Sequence, residues 1–216
     1  MRSRHRTTVD NSLLYQWGNE KLTTQQQEKF VSQFKGVPGK VLEIGCGHGV
    51  MLDLFKKAGI TAYGLDLSEP AVEISLKKGL EAVHSDVLSH LGSLPDSSLG
   101  GIFCAHVIEH LVPSDALTLI TESYRVLKRK GKIIFITPNA KDLRTTERFW
   151  LDITHVRPYP EKLIRVLLTK QGFTSIETFC NAEPATNALE RIVKTVMRLW
   201  FLGYLFTGDL VVIAQK

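Results

Sequence analysis

Glycines at 45, 47 and 49 follow directly on an apolar strand in Val41-Leu42-Glu43-Ile44-Gly45-Cys46-Gly47-His48-Gly49. Such a turn needs glycine for positive φ, and so that a ligand can lie against bare backbone. A dinucleotide fingerprint would place its third glycine at position 50, where this chain has Val50. Glu43 stands two positions before the first glycine, where it would repel a pyrophosphate but suit a cationic amino group. The turn therefore predicts a cofactor without phosphates and argues against nicotinamide or flavin. Asp66 lies about 20 residues further on, where a carboxylate can accept hydrogen bonds from ribose hydroxyls; otherwise it is a turn or capping aspartate. Asp86 either faces an adenine amino group or caps a helix.

Two further groupings could handle protons or anions. His106, Glu109 and His110 follow one another at the end of a strand-like run, where His106 is the first candidate for proton transfer. Phe149-Trp150-Leu151-Asp152-Ile153-Thr154-His155-Val156-Arg157-Pro158-Tyr159 joins aromatics, an acid, a histidine and an arginine. There His155 is a candidate base, and Arg157 could grip a phosphate or carboxylate with both ends of its fork. The competing expectation is that Asp152 and Arg157 pair to brace the loop over Tyr159. No metal is expected, because His106 and His110 with Glu109 between them differ from H-E-x-x-H and start at a strand end.

These groups need positioning, and the periodicity supplies it. Short Val- and Ile-rich runs predict buried strands at 40–44, 61–66, 101–105 and 132–137, with a weaker one at 81–85. Helices are predicted over 50–58, 70–78 and 113–128, with Ser68 capping the second and Pro113 opening the third. The alternation predicts an open α/β sheet with helices on both faces. Residues 12–35, carrying Leu13, Leu14, Tyr15, Trp17, Phe30 and Phe34, form a helical lid or a packing helix. A polar insert at 138–160 precedes a helix (161–171) and a strand (173–180). A second insert at 183–207, mainly helical over 185–202, precedes a last strand at 209–214. All of it is expected to be one domain over 1–216.

The glycine turn, Gly64-Leu65-Asp66-Leu67-Ser68, Ser85-Asp86-Val87 and Phe103-Cys104-Ala105-His106-Val107-Ile108-Glu109-His110-Leu111 occur in the order of the class I S-adenosylmethionine-dependent methyltransferases, which the chain resembles over about residues 38–181. The resemblance implies a Rossmann-like seven-stranded sheet in order 3-2-1-4-5-7-6, its last strand antiparallel, with S-adenosylmethionine as cofactor. Glu43, Gly45, Cys46, Gly47 and Gly49 would hold the methionine end, Asp66 and Leu67 the ribose, and Asp86 with Val87 the adenine. Ala105 and His106 would line the methyl-donating face. The 149–159 segment and the helix after it resemble methyltransferases of bacterial surface-polysaccharide and O-antigen assembly, which implies an oxygen of a sugar or sugar phosphate as acceptor. A small metabolite of quinone type, a nitrogen acceptor, and a non-catalytic module that only binds the cofactor are the other readings.

Charge bears on the acceptor. The chain carries a net +5, but residues 1–124 hold 11 Lys/Arg against 14 Asp/Glu, and residues 125–216 hold 16 against 8. A basic C-terminal half suits an anionic acceptor or an anionic membrane face, and no nucleic acid is expected. Leu189, Ile192, Val193, Val196, Leu199 and Trp200 form a helical stripe beside Arg191, Lys194 and Arg198. That stripe either touches a membrane surface or packs on protein. The apolar run 199–206 is too short to span a bilayer. Cys46, Cys104 and Cys180 show no paired spacing, which fits a reducing, cytoplasmic setting, at the inner membrane surface if the helix docks there. Oligomeric state is left open.

Overall fold

The computed structural model describes residues 20–143, 149–182, 187–200 and 207–216. Five strands run parallel: β1 (Val41–Ile44), β2 (Ala62–Asp66), β3 (Ala82–His84), β4 (Leu99–Ala105) and β5 (Leu127–Thr137). Two more, β6 (Thr174–Asn181) and β7 (Asp209–Gln215), complete the sheet, with β7 antiparallel to both β5 and β6. The order is 3-2-1-4-5-7-6, the one that the resemblance implies.

Side chains alternate across the central strands, and both faces are buried there. On β4, Ile102 and Cys104 face one apolar layer and Phe103 the other; on β7, Val212 and Ala214 oppose Val211 and Ile213. This period of two, buried on both sides, forces helices onto each face. One layer is covered by α4 (Val87–Ser93), α5 (Pro113–Val126) and α6 (Glu161–Gln171) through residues such as Leu91, Leu119 and Leu168. The other is covered by α1 (Glu20–Val31) and α2 (Val50–Lys57), whose Phe30 and Phe55 meet Phe103 with ring centroids 6.1 and 6.5 Å apart. Residues 20–34 thus include a packing helix, with Phe30 and Phe34 buried. Residues 12–19 of the proposed lid lie outside the described residues, as do 144–148, 183–186 and 201–206 of the two inserts.

Helix starts follow the sequence expectations. The Ser68 hydroxyl accepts the Ala71 amide at 3.4 Å at the head of α3 (Glu69–Lys77), with Pro70 in its first turn. Pro113 opens α5. Two boundaries differ. The helix predicted to reach residue 128 ends at Val126, because Leu127 joins the ladder opposite Leu99. A short helix at Val87–Ser93 goes unpredicted; it buries only Val87 and Leu91, too sparse a stripe to read. The helix of the second insert is α7 (Ala188–Trp200), whose apolar stripe is exposed.

Because the first five strands run in one direction, their C-terminal ends collect at one edge: the glycine turn, Asp66, Asp86, His106 and Thr137. The antiparallel β7 delivers its first residue, Asp209, to the same edge. Open parallel sheets bind ligands at that edge.

Candidate active site

The β1 side of the edge is built largely from backbone. Gly45, Gly47 and Gly49 have φ of +74°, +50° and +77°. A Cβ on Gly45 would stand 2.6 Å from Val107 Cγ2, and one on Gly49 would stand 2.5 Å from Leu80 Cδ1. Asp66 ties this turn to the next: one carboxylate oxygen accepts the Gly47 amide at 2.8 Å, and the other accepts the Ser68 amide at 2.8 Å. Each oxygen keeps a second lone pair. Leu67 beside it is exposed, as a surface for an apolar ligand face would be. Cys46 is buried in the turn, and burial pushes its thiol far up, so it serves as packing.

Glu43 stands out here. Its side chain is buried, and its Oε2 has no hydrogen-bond partner. Burial drives its pKa well above the usual carboxyl value; the Leu52 amide pulls it partly back, and the neighbouring Asp66 raises it again. Leaving one oxygen of a buried carboxyl without a partner costs about 1–3 kcal/mol, which a cationic ligand group would offset. Asp86 caps α4, its Oδ1 accepting the Leu88 and Ser89 amides at 3.0 and 3.1 Å. It thereby fixes the β3 end, with Val87 buried beside it.

Acceptor-side groups are assembled from side chains over long sequence distances. His106 follows Ala105 with φ of +55°, a conformation unusual for a side-chain-bearing residue. Its Nδ1 lies 3.2 Å from Glu109 Oε1 and its Nε2 lies 3.5 Å from Asp209 Oδ2. Burial works against the charged imidazole, but Asp209 and Glu109 outweigh it and set the pKa well above the ordinary value. The side chain is about half exposed, so solvent screens part of this.

Glu109 is fully buried on a 3₁₀ turn, Ile108–His110, with its Oε2 accepting the Thr137 hydroxyl at 3.1 Å. Its carbonyl accepts the Val156 and Arg157 amides at 2.8 and 3.3 Å, latching the 149–160 segment onto the end of β4. His155 is thereby brought against His110, ring centroids 4.6 Å apart. It stacks on the buried Phe149 at 4.5 Å and lies 2.7 Å by Nδ1 from the Phe149 carbonyl. Only a protonated Nδ1 can bond a carbonyl, so the neutral ring has its lone pair at Nε2. Thr154 donates its hydroxyl proton to Asp152 Oδ1 at 2.6 Å, so it accepts from His110 Nδ1 at 2.8 Å. Burial lowers the His110 pKa, favouring its neutral form.

The expected Asp152–Arg157 brace does not form among the described residues. Asp152 instead caps Thr154 and lies 3.7 Å from His155 Nε2. Arg157 lies 5.3 Å over the ring of Tyr159, which packs beneath the loop as expected. Asp209, Thr137 and Thr154 were not singled out by the sequence. Each is a common residue whose significance comes only from a partner between 28 and 103 positions away.

Comparison with known proteins agrees with this architecture. Residues 20–178 match the family described as a methyltransferase domain. Among solved structures, the chain is similar to a SAM-dependent methyltransferase from Archaeoglobus fulgidus, with a TM-score of 0.83 and 27% identity, covering 96% of this chain and 100% of that one. It is also similar to ubiquinone biosynthesis O-methyltransferases. One from Vibrio campbellii is 27% identical over 176 residues, covering 78% of this chain and 69% of the relative. One from Pseudomonas putida is 30% identical over 105 residues, covering 46% of this chain and 44% of the relative. The chain spans about half the length of most of the curated relatives it matches.

Proposed function

The chain belongs to the methyltransferase-domain family, and from that premise we propose that it transfers a methyl group from S-adenosylmethionine to an oxygen. The observation that carries this reading is the buried Glu43 carboxyl, its Oε2 without a partner, beside a bare glycine turn. S-adenosylmethionine carries an ammonium and a sulfonium but no phosphate. Glu43 and the 45–49 turn hold its methionine end, Asp66 and Leu67 its ribose, and the turn of Asp86 and Val87 its adenine. Ala105 and His106 then face the methyl group.

Methyl transfer from a sulfonium is an in-line displacement, for which alignment and removal of the hydroxyl proton are the main tasks. His106, held charged between Glu109 and Asp209, orients an anionic or developing anionic acceptor. His155, its tautomer fixed by the Phe149 carbonyl, presents Nε2 to take the hydroxyl proton, and Arg157 reaches a phosphate or carboxylate on the acceptor.

The acceptor we infer is a sugar or sugar-phosphate hydroxyl of a glycan or glycolipid precursor, supported by Arg157 and the charged His106 at one edge. A quinone-type acceptor is the second reading, favoured by the names of the relatives. In both cases α7 contacts an anionic membrane face: Leu189, Ile192, Leu199 and Trp200 are exposed beside Arg191 and Lys194, and Trp150 and Ile153 are exposed near the acceptor loop. No described helix is long and apolar enough to cross a membrane.

The test is transfer of labelled methyl into a cell extract fractionated into glycolipid, polar metabolite, quinone, protein and nucleic acid pools. Glu43→Gln/Asp66→Asn serves as the blank. Label in the glycolipid pool supports the sugar reading, and label only in the quinone pool supports the second. Cofactor binding without label in any pool would favour a module that only binds.

A further inference from the structure

We propose that Glu109, His110 and His155 hold one divalent metal ion of the first transition row, zinc-like in its preference for imidazole, on the acceptor side of the edge. The inference takes the acceptor site just proposed as its setting but not as its premise, since metal binding is measured without any methyl transfer.

One donor atom from each of the three residues lies within 4.8 Å of the other two. In a tetrahedral site with bonds of about 2.0–2.2 Å, donor atoms stand roughly 3.3–3.5 Å apart, a gap that side-chain rotations close. The residues come together because the Glu109 carbonyl holds the Val156 and Arg157 amides, which fixes His155 across from a turn 45 positions earlier in the chain.

What surrounds the histidines separates this cluster from an ordinary packing contact. Metal-bound histidines almost always donate their other ring N–H to a carbonyl, carboxylate or water, which fixes tautomer and orientation. Both rings have that support here. His155 donates from Nδ1 to the Phe149 carbonyl, and His110 donates from Nδ1 to Thr154, whose proton goes to Asp152. With Nδ1 of each ring engaged, Nε2 is the atom left to ligate, and among the described residues no hydrogen-bond donor meets either one. Glu109, fully buried, and Asp152, whose Oδ2 lies 3.7 Å from His155 Nε2, supply negative charge for a dication.

The sequence does not suggest this site because the nearby pair, His106 and His110, has the wrong spacing. The second imidazole comes from the 149–160 loop, and His106 is drawn away toward Asp209. With protein ligands on one side, the ion would keep coordination positions for an acceptor oxygen and lower its pKa, so that its proton passes to solvent water and not to the metal-bound His155. In the loaded protein the ion, rather than the bare His155 ring, meets that oxygen.

The experiment is titration of chelator-stripped protein with Co²⁺, following its visible d–d bands and the midpoint of thermal unfolding. Expected are one equivalent of Co²⁺, bands bleached by added Zn²⁺, and a raised unfolding midpoint. His110→Gln and His155→Gln should each weaken binding by about 100-fold or more. Thr154→Val, which keeps every ligand but removes the support of His110, should weaken it by about 10–100-fold. His84→Gln, an exposed histidine bonded to the Leu67 carbonyl, should bind as the parent does. Absence of stoichiometric binding at micromolar Co²⁺, or binding undiminished in folded His110→Gln and His155→Gln proteins, overturns the proposal.

Discussion

The β1–β2 end and the β4–β5 end of the same sheet edge solve the problem of holding a ligand differently. At β1–β2 the groups come from a few adjacent residues, and what they offer a ligand is mostly backbone. At β4–β5 the edge offers side chains, recruited from the 149–160 loop and from β7. Side-chain assemblies can change their ligand by one substitution. A glycine turn cannot, because its shape and its ligand surface are the same atoms. The first end therefore fits a cofactor that does not vary and the second an acceptor that does.

Substitutions should separate the two ends, beginning with the turn. Gly49→Ala places a Cβ 2.5 Å from Leu80 at a φ of +77°. We expect loss of about 2–4 kcal/mol of stability and at least a 100-fold drop in cofactor affinity, read by denaturant unfolding and calorimetry. Gly36→Ala has a similar φ of +75° but open space, and should cost only about 1–2 kcal/mol.

Glu43→Gln should split stability from binding. The raised Glu43 pKa means that the folded state holds its proton more tightly than the unfolded state. Its cost is absent at low pH and grows as pH rises above the ordinary value of 4.5. The variant should be more stable than the parent at neutral pH, by about 1–3 kcal/mol, and less sensitive to pH above 4.5. Its cofactor affinity should fall about 10-fold or more. Equal melting curves for the two proteins at neutral pH would argue that Glu43 finds a partner in solution.

On the acceptor side, Thr154→Val should lower kcat about 10-fold through His110 while leaving the cofactor dissociation constant unchanged. A matching loss of cofactor affinity would show that the two ends are one unit. The smallest effect is expected from Asp209→Asn. Without that partner the His106 pKa falls, so the alkaline limb of the kcat/KM profile should move to lower pH, with only a few-fold change near pH 7.

The same contrast explains what was legible in the sequence. Gly45, Gly47, Gly49, Glu43 and Asp66 can be read because local spacing encodes their geometry, and the strand order follows once the motifs are recognised in sequence. Asp86 shows the limit: position marks it for a ligand or a cap, and only the structure shows its Oδ1 bonding the Leu88 and Ser89 amides. His155 and Arg157 attract attention by residue type, but spacing cannot reveal that the Val156 and Arg157 amides lock onto the Glu109 carbonyl. Asp209 reads as the start of an apolar strand; its role depends on β7 running opposite to β5, which no local pattern states. The 127–131 stretch misleads because Leu127-Lys128-Arg129-Lys130 has good helix propensity, while pairing opposite Leu99 makes Leu127 a strand residue.

The placement of β7 also bears on how the protein is made. The last of the described strands to be synthesised lies between β5 and β6. While residues 209–215 are still inside the ribosome, β6 has no neighbour to pair with, and β5 shows an open edge to the chaperones and nascent chains around it. His106 meanwhile lacks Asp209. The cofactor end can take shape while translation continues, whereas the acceptor end is completed only when β7 emerges and slots into the gap.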